Sequence, residues 1–329
     1  LSTAREGLAY SNAWVTPWEA FTSESWECFS EINPFALAFD ERNAVFKAYP
    51  GLLERSLAAK LPRVKIVPTI VNDVFASNGK DVQTLKSVPV LTYWLADPGN
   101  LARHVEDLVA AARPYDGLEI DYEKVPDSLW ENYTVLLAKL GQRLRSEGKT
   151  LAVDVEPNAL YRKRGMIAAK YWPRLAQSCD KIKIMGYYER GDFSDRVGPG
   201  TSAEWIEETL RRALAILPPE KVSMAFSLAA TDWEVPLPSV QFQRRVKRLH
   251  YKQARQMLSR PGVQPLWDEI FGSPFFRYEK DGRRHEVWYE DERSLGRKVE
   301  AARKAGVGVS LWYLGAVRPD LKKLGFCGK

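Results

Sequence analysis

A chain of 329 residues is long enough to bury a sizeable core as one or two domains. With 45% hydrophobic and 27% charged residues its composition is ordinary for a globular protein, which excludes a disordered, a collagen-like and a disulfide-framework chain. Net charge is +6 and the pI about 9.0, a mild attraction to anionic polymers. The basic runs Arg244-Arg245-Val246-Lys247-Arg248 and Arg283-Arg284 are short, without zinc-finger or RNA-binding spacing, so no nucleic-acid partner is expected. No apolar run reaches the roughly 18 residues of a membrane helix. The longest, Ala305 to Val317, reads as a buried strand. The sequence begins at Leu1 without a visible signal peptide, as a mature or trimmed product would. Cys28, Cys179 and Cys327 are too few for a disulfide framework; Cys179 reads as a buried thiol, and pairing of Cys28 with Cys327 stays open.

Strand candidates in chain order are Asn12–Trp18, Pro34–Asp40, Val64–Asn72, Leu118–Glu123, Thr150–Glu156, Lys181–Tyr188, Lys221–Leu228 and Val307–Leu314. Helices are expected over Leu52–Lys60, Asn100–Arg113, Leu129–Ser146, Tyr171–Gln177, Ser202–Ile216 and Ser294–Ala305. Alternating strands and helices imply a parallel α/β fold, and eight strand candidates point to a closed (β/α)8 barrel spanning 1–329. An open doubly wound sheet is less suitable, because no glycine-rich phosphate turn follows the first strand. Residues 229–291, between strands seven and eight, read as a rim insertion that shapes one cleft wall. It holds a basic helix over Gln241–Leu258 and a hairpin, Phe275–Glu279 and His285–Tyr289, around Lys280-Asp281-Gly282-Arg283.

The most informative stretch is Asp116-Gly117-Leu118-Glu119-Ile120-Asp121-Tyr122-Glu123. Strand alternation puts Leu118, Ile120 and Tyr122 on one face and Glu119, Asp121 and Glu123 on the other. In a barrel the apolar set packs on the helices and the acidic set points inward, at the strand end where such barrels carry catalysis. Same-face neighbours lie about 6.5–7 Å apart along a strand, so three partly buried carboxyls cannot all ionise freely. One kept protonated near neutral pH can donate to a leaving oxygen. Asp154 and Glu156 alternate against Leu151, Val153 and Val155 and would add two carboxyls to the cleft. The alternative for that pair is a rim position balanced by Arg162 or Arg164.

This stretch resembles the D-x-x-D-x-D-x-E signature of glycoside hydrolase family 18, the chitinase family, with Glu119 in place of the second aspartate. Other segments resemble the family in order. They are the Leu95–Ala112 helix, the strand-six Met185-Gly186-Tyr187, Asp232-Trp233 after strand seven, and Val287–Val317 with Trp288-Tyr289-Glu290-Asp291 and Leu311-Trp312-Tyr313. The resemblance runs from about Trp94 onward and is nearest the compact bacterial branch with spore-germination and cell-wall members.

The resemblance implies a retaining, substrate-assisted hydrolase of β-linked N-acetylhexosamine glycans of the chitin-oligosaccharide, peptidoglycan or N-glycan type. It makes Glu123 the general acid and base, and makes Asp121 the residue orienting the acetamido group. Glu119 and Asp116 support Asp121, and Tyr187 donates to the acetamido oxygen. Trp312 forms the sugar floor, in a cleft shared with Met185, Trp14 and Asp232. The acid that follows the strand-six tyrosine in the family is replaced by Tyr188, leaving Glu189 as the adjacent candidate. Trp14, Trp18, Trp94, Trp233, Trp288 and Trp312 fall near strand ends; about half are expected to line the cleft and half to pack the core. The three histidines, His104, His250 and His285, lack metal-ligand spacing, and no metal or cofactor is implied. Two alternatives are a catalytically silent sugar-binding barrel and a glycosidase for a sugar lacking the acetamido group. The expected state is a monomer, exported or at the cell envelope, with a glycan as its partner.

Overall fold

The computed structural model describes residues 8–76, 81–161, 169–191, 193–236 and 246–327. Eight parallel strands close on themselves: β1 (Ser11–Val15), β2 (Glu31–Asp40), β3 (Thr69–Phe75), β4 (Gly117–Asp121), β5 (Thr150–Val155), β6 (Lys181–Met185), β7 (Val222–Ser227) and β8 (Gly308–Trp312). Each pairs with the next in sequence, and β8 returns to β1, giving the closed barrel. The helices are α1 (Pro50–Ala58), α2 (Val88–Leu95), α3 (Pro98–Ala112), α4 (Trp130–Ser146), α5 (Trp172–Ser178), α6 (Ala203–Leu214), α7 (Tyr251–Leu258) and α8 (Glu292–Lys304).

The apolar faces of these elements meet between barrel and helices. Leu118 and Ile120 of β4 pack outward with Leu101, Val105 and Leu108 of α3 and Leu136, Leu137 and Leu140 of α4 in one continuous core. The Asp97 side chain caps α3 by accepting from the Asn100 amide at 2.7 Å, which starts the helix at Pro98. Gly117 opens β4 for a steric reason: a Cβ there would stand 2.3 Å from the Thr150 carbonyl oxygen of the neighbouring strand.

Some boundaries differ from the sequence expectation. The strand expected over Lys181–Tyr188 stops at Met185, where Gly186 passes close to the Ala225 carbonyl. The helix α2 forms where the sequence reading places none; Ser87 caps it and Pro89 occupies its first turn.

Between β7 and β8 lies a five-stranded antiparallel sheet in the order Val246–Leu249, Ala230–Val235, Arg283–Trp288, Ser273–Lys280 and Leu266–Asp268. The expected hairpin is its central pair, turning through Asp281 and Gly282 with φ of 52° and 70°, the left-handed geometry that a two-residue turn needs. The helix expected from Gln241 begins only at Tyr251. Val246–Leu249 instead pairs along Ala230–Trp233, so edge-strand hydrogen bonding wins over helical spacing there. Residues 241–245 of that expectation lie outside the described residues, as do Arg162 and Arg164.

Cys28 and Cys327 form a disulfide that ties the segment before β2 to the chain's C-terminal segment, and Cys179 is a free, buried thiol. Because the bridge closes a span of 299 residues, Cys327→Ser is expected to cost about 2–4 kcal/mol of stability. Denaturant unfolding of oxidised wild type and variant measures it, and equal midpoints would contradict the expectation.

Candidate active site

The barrel interior is polar where the outward faces are apolar. Glu119 of β4 is fully buried, and its Oε2 accepts from the Trp14 indole at 2.9 Å and from Thr69 Oγ1 at 2.5 Å. Its other oxygen lies 2.7 Å from Nζ of Lys183, which projects inward from β6 and is also fully buried. Lys183 contacts Glu31 Oε1 at 3.0 Å and Asn33 Oδ1 at 3.1 Å, and Tyr10 donates to the same Glu31 oxygen at 3.0 Å. Burial alone would drive the Lys183 ammonium down; Glu119, Glu31 and Asp154 outweigh it and hold it above its ordinary range.

Above this layer stand the acids of the cleft. Asp154 of β5 lies within hydrogen-bond reach of Glu119. Burial first, then the charges of Glu119 and Asp121, raise it well above the usual carboxylate range. Asp121 at the end of β4 is raised likewise, by burial, then by Glu123 and Glu119, against the pull of Lys86. Its Oδ1 is buried without a hydrogen-bond partner among the described residues. Glu123 pairs with the Lys86 ammonium, and Glu156 comes within hydrogen-bond reach of it from beyond β5. Burial, the bond to Glu123 and that residue's charge push Glu156 up to about 7, despite Lys86 and Lys124. The Asn72 side chain fixes the Glu123 backbone at both polar groups, each at 3.0 Å.

These acids open onto a cavity of about 310 Å³. Trp312 at the end of β8 forms part of its floor, with Trp14, Trp18 and Phe35 packed edge-on to that ring at centroid distances of 5.6, 6.4 and 5.1 Å. Tyr187, Tyr188 and Met185 face it from the end of β6. Burial, then Tyr188, Asp121, Asp154 and Glu123, keep the Tyr187 phenol far above its ordinary range, so its hydroxyl stays a donor. A second hollow of about 280 Å³, lined by Val125, Trp130, Glu156 and Trp172, shares Glu123, Asp154 and Met185 with the first. Glu123 therefore stands where two hollows meet.

Of the residues expected at the site, Glu119, Asp121, Glu123, Asp154, Glu156, Met185, Tyr187, Trp14 and Trp312 gather here. Three do not. Asp116 sits at the opposite, N-terminal end of β4, where it pairs with Lys60 at 2.6 Å and accepts from the Ile66 amide at 2.8 Å. Glu189 turns away to pair with Arg190 at 2.6 Å and to accept from Ser202 Oγ at 2.8 Å and from its amide. Asp232 is buried in the second sheet, bonded to the Tyr278 hydroxyl at 2.7 Å and His285 Nδ1 at 2.9 Å. Nor do described residues of 229–291 line the main cavity; its outer wall comes from Ala48 and Tyr49 after β2 and from Val82, Leu85 and Lys86 after β3.

Among the tryptophans, Trp94 stacks on His104 at 4.6 Å, and Trp233 and Trp288 pack in the second sheet, so these three are structural. His104 is likewise a packing residue: burial pushes it down to about 3 and leaves it neutral beside the Tyr122 hydroxyl at 2.9 Å. Sequence reasoning missed Lys183, Lys86, Asn72 and Phe35. Lys183 carried a signal, because it alternates against Ile182 and Ile184 and so must face inward, opposite the acids. Lys183→Met would leave Glu119 buried beside uncompensated charge, an expected loss of about 3–5 kcal/mol. Thermal or urea unfolding reads this; partial recovery in Lys183→Met/Glu119→Gln is expected, and a near-neutral single variant would contradict it.

Comparison with known proteins places this geometry. The family model of glycosyl hydrolases family 18 matches residues 93–316, more than half of the chain. A cortical fragment-lytic enzyme of Bacillus cereus is 27% identical over 301 residues, covering 88% of this chain and 67% of the relative. One of Bacillus anthracis is 27% identical over 226 residues, covering 66% and 51%. This chain thus spans about half to two thirds of the length of the curated relatives it matches. The Bacillus cereus spore cortex-lytic enzyme SleL shares the fold with a TM-score of 0.81 at 20% identity, over 99% of this chain and 76% of that one. A chitinase from Chromobacterium violaceum does so with a TM-score of 0.75 at 22% identity, over 97% and 98%. Among the described residues no helix is long and apolar enough to cross a membrane. The family match spans strand-four acids, strand-six tyrosine and strand-eight tryptophan alike, and the chain belongs to glycosyl hydrolases family 18.

Proposed function

We propose that this chain hydrolyses β-linked N-acetylhexosamine glycans with retention, using the substrate's own acetamido group as nucleophile. The observation that carries the reading is the buried Asp121, whose Oδ1 has no hydrogen-bond partner among the described residues, on the cavity wall beside Glu123. In the proposed reaction Glu123 protonates the leaving glycosidic oxygen while the acetamido oxygen attacks the anomeric carbon. Asp121, its carboxyl pushed well above the ordinary range by burial and by Glu123, offers its Oδ1 to the amide N–H, and the Tyr187 hydroxyl donates to the acetamido oxygen. Glu123, now a carboxylate, takes a proton from the water that opens the intermediate, which restores the acid. Trp312 offers an aromatic face to the sugar's C–H groups. The meeting of two hollows at Glu123 supports one for the sugar that reacts and the other for the leaving group.

Within this substrate class, the relatives named for cortical-fragment and spore-cortex lysis favour cell-wall glycan fragments and a place at the cell envelope. The pI of about 9.0 suits an anionic wall. The test is a panel of β-glycosides with and without the 2-acetamido group, including chito-oligosaccharides and muropeptide fragments. Turnover confined to acetamido sugars is expected, with Glu123→Gln lowering kcat/KM by about 10²–10⁴-fold. Hydrolysis of sugars lacking the group would contradict the mechanism, and binding without turnover would contradict the activity.

A further inference from the structure

Beyond β6 Tyr188 follows Tyr187, and Glu189 turns away to Ser202 and Arg190. Glu123 is nevertheless not alone. From one side the Lys86 ammonium pairs with its Oε2. From the other, Glu156 lines the same second hollow as Glu123, with its carboxyl within hydrogen-bond reach. Two carboxyls in contact cannot both ionise freely, whereas an ammonium in contact favours ionisation. The two neighbours therefore pull in opposite directions.

Lys86 is held where it is. Its residue adopts a left-handed backbone, φ 52°, and its amide donates to Asp73 Oδ1 at 2.7 Å. The Ser87 amide that follows donates to the Asn72 carbonyl at 2.7 Å. The Asn72 side chain bridges to the Glu123 backbone, so lysine and acid hang from one residue of β3. A left-handed non-glycine backbone costs energy and persists only where its surroundings fix it.

We propose that Glu156 and Lys86 are positioning residues that set the protonation of Glu123 from opposite sides, Glu156 storing the proton that Glu123 delivers and Lys86 stabilising the carboxylate left behind. The proposal rests on Glu123 being the general acid. Before reaction the proton resides on Glu156 and Glu123 is paired with Lys86. The proton crosses to Glu123, then to the leaving oxygen as the C–O bond breaks. Both carboxyls are then ionised, facing Lys86 and the positive intermediate. Water yields a proton to Glu123, and its return to Glu156 closes the cycle. The other titratable or charged groups around Glu123 are Asp73 from β3, Asp121 and Lys124 from β4 and the residues just beyond it, Asp154 from β5, and Tyr187 and Tyr188 beyond β6. They are common to all the variants compared.

The test is the pH dependence of kcat/KM, together with carboxyl 13C NMR titration of the glutamate-labelled protein. Removing the carboxyl in Glu156→Gln takes away a negative neighbour, so the alkaline limb should move to lower pH by about one unit. Removing the cation in Lys86→Met should move it to higher pH, and Lys86→Arg should restore it. A purely structural role would lower the rate in both variants without moving the limb, or would move both limbs the same way; either result overturns the proposal. In the titration, wild type should show one carboxyl releasing its proton near neutral pH, a signal missing in Glu156→Gln. Ordinary carboxylate titration throughout, in an enzyme that turns over acetamido glycosides, would overturn the proposal and leave the proposed function standing. A near-neutral titration in a protein that hydrolyses no glycoside would instead overturn the reading of Glu123 as the acid.

Discussion

A lysine sealed inside a barrel needs negative charge around it, and Lys183 finds it in Glu119 and Glu31, with Asn33 filling the remaining coordination. The arrangement reaches outward from there. Glu119 is pinned by Lys183, Thr69 and the Trp14 indole. Trp14 in turn packs its edge on Trp312, so one buried ion pair connects the acidic strand to the aromatic floor of the cleft. Burying ions costs several kcal/mol each, which excellent geometry has to offset. The return is a cluster whose members cannot move independently, as a site built from several strands requires.

Charge is then graded along the strand. At the bottom Asp116 is spent on Lys60 and the Ile66 amide. In the middle Glu119 answers Lys183. At the top Asp121 Oδ1 has no hydrogen-bond partner among the described residues, and Glu123 meets the half-exposed Lys86. A single stretch thus supplies a structural acid, a supporting acid and two acids that face the cavity, distinguished by what each side chain meets. The same logic separates Asp154, which supports Glu119 from β5, from Glu156, which reaches Glu123.

How much of this the sequence revealed follows from how local each signal is. Alternation in Leu118-Glu119-Ile120-Asp121 needs only the period of a strand, and it assigned both faces of β4 correctly. Asp154 and Glu156 followed the same rule. Asp232, carried by the resemblance, and Glu189, offered as the neighbour of Tyr188, lie away from the cleft because position along the chain does not reveal partners in space: Tyr278 and His285 for one, Ser202 and Arg190 for the other. Lys86 was hidden for a related reason. It follows the short strand Val82–Thr84 and is held by its own amide's bond to Asp73 and the Ser87 amide's bond to Asn72, and no periodicity marks a single residue that bends back onto the site. The pairing of Cys28 with Cys327 could not be read from two cysteines at opposite ends of a chain; barrel closure brings those ends together.

In the proposed mechanism the substrate's acetamido oxygen, and not water, first reaches the anomeric carbon. Two successive displacements on one carbon leave its configuration unchanged, whereas direct attack by water inverts it. Proton NMR of the reducing end, recorded within the first minutes of hydrolysis of a β-linked acetamido oligosaccharide and before mutarotation, reads this directly. The β-anomer is expected as the first product. Initial release of the α-anomer would contradict it.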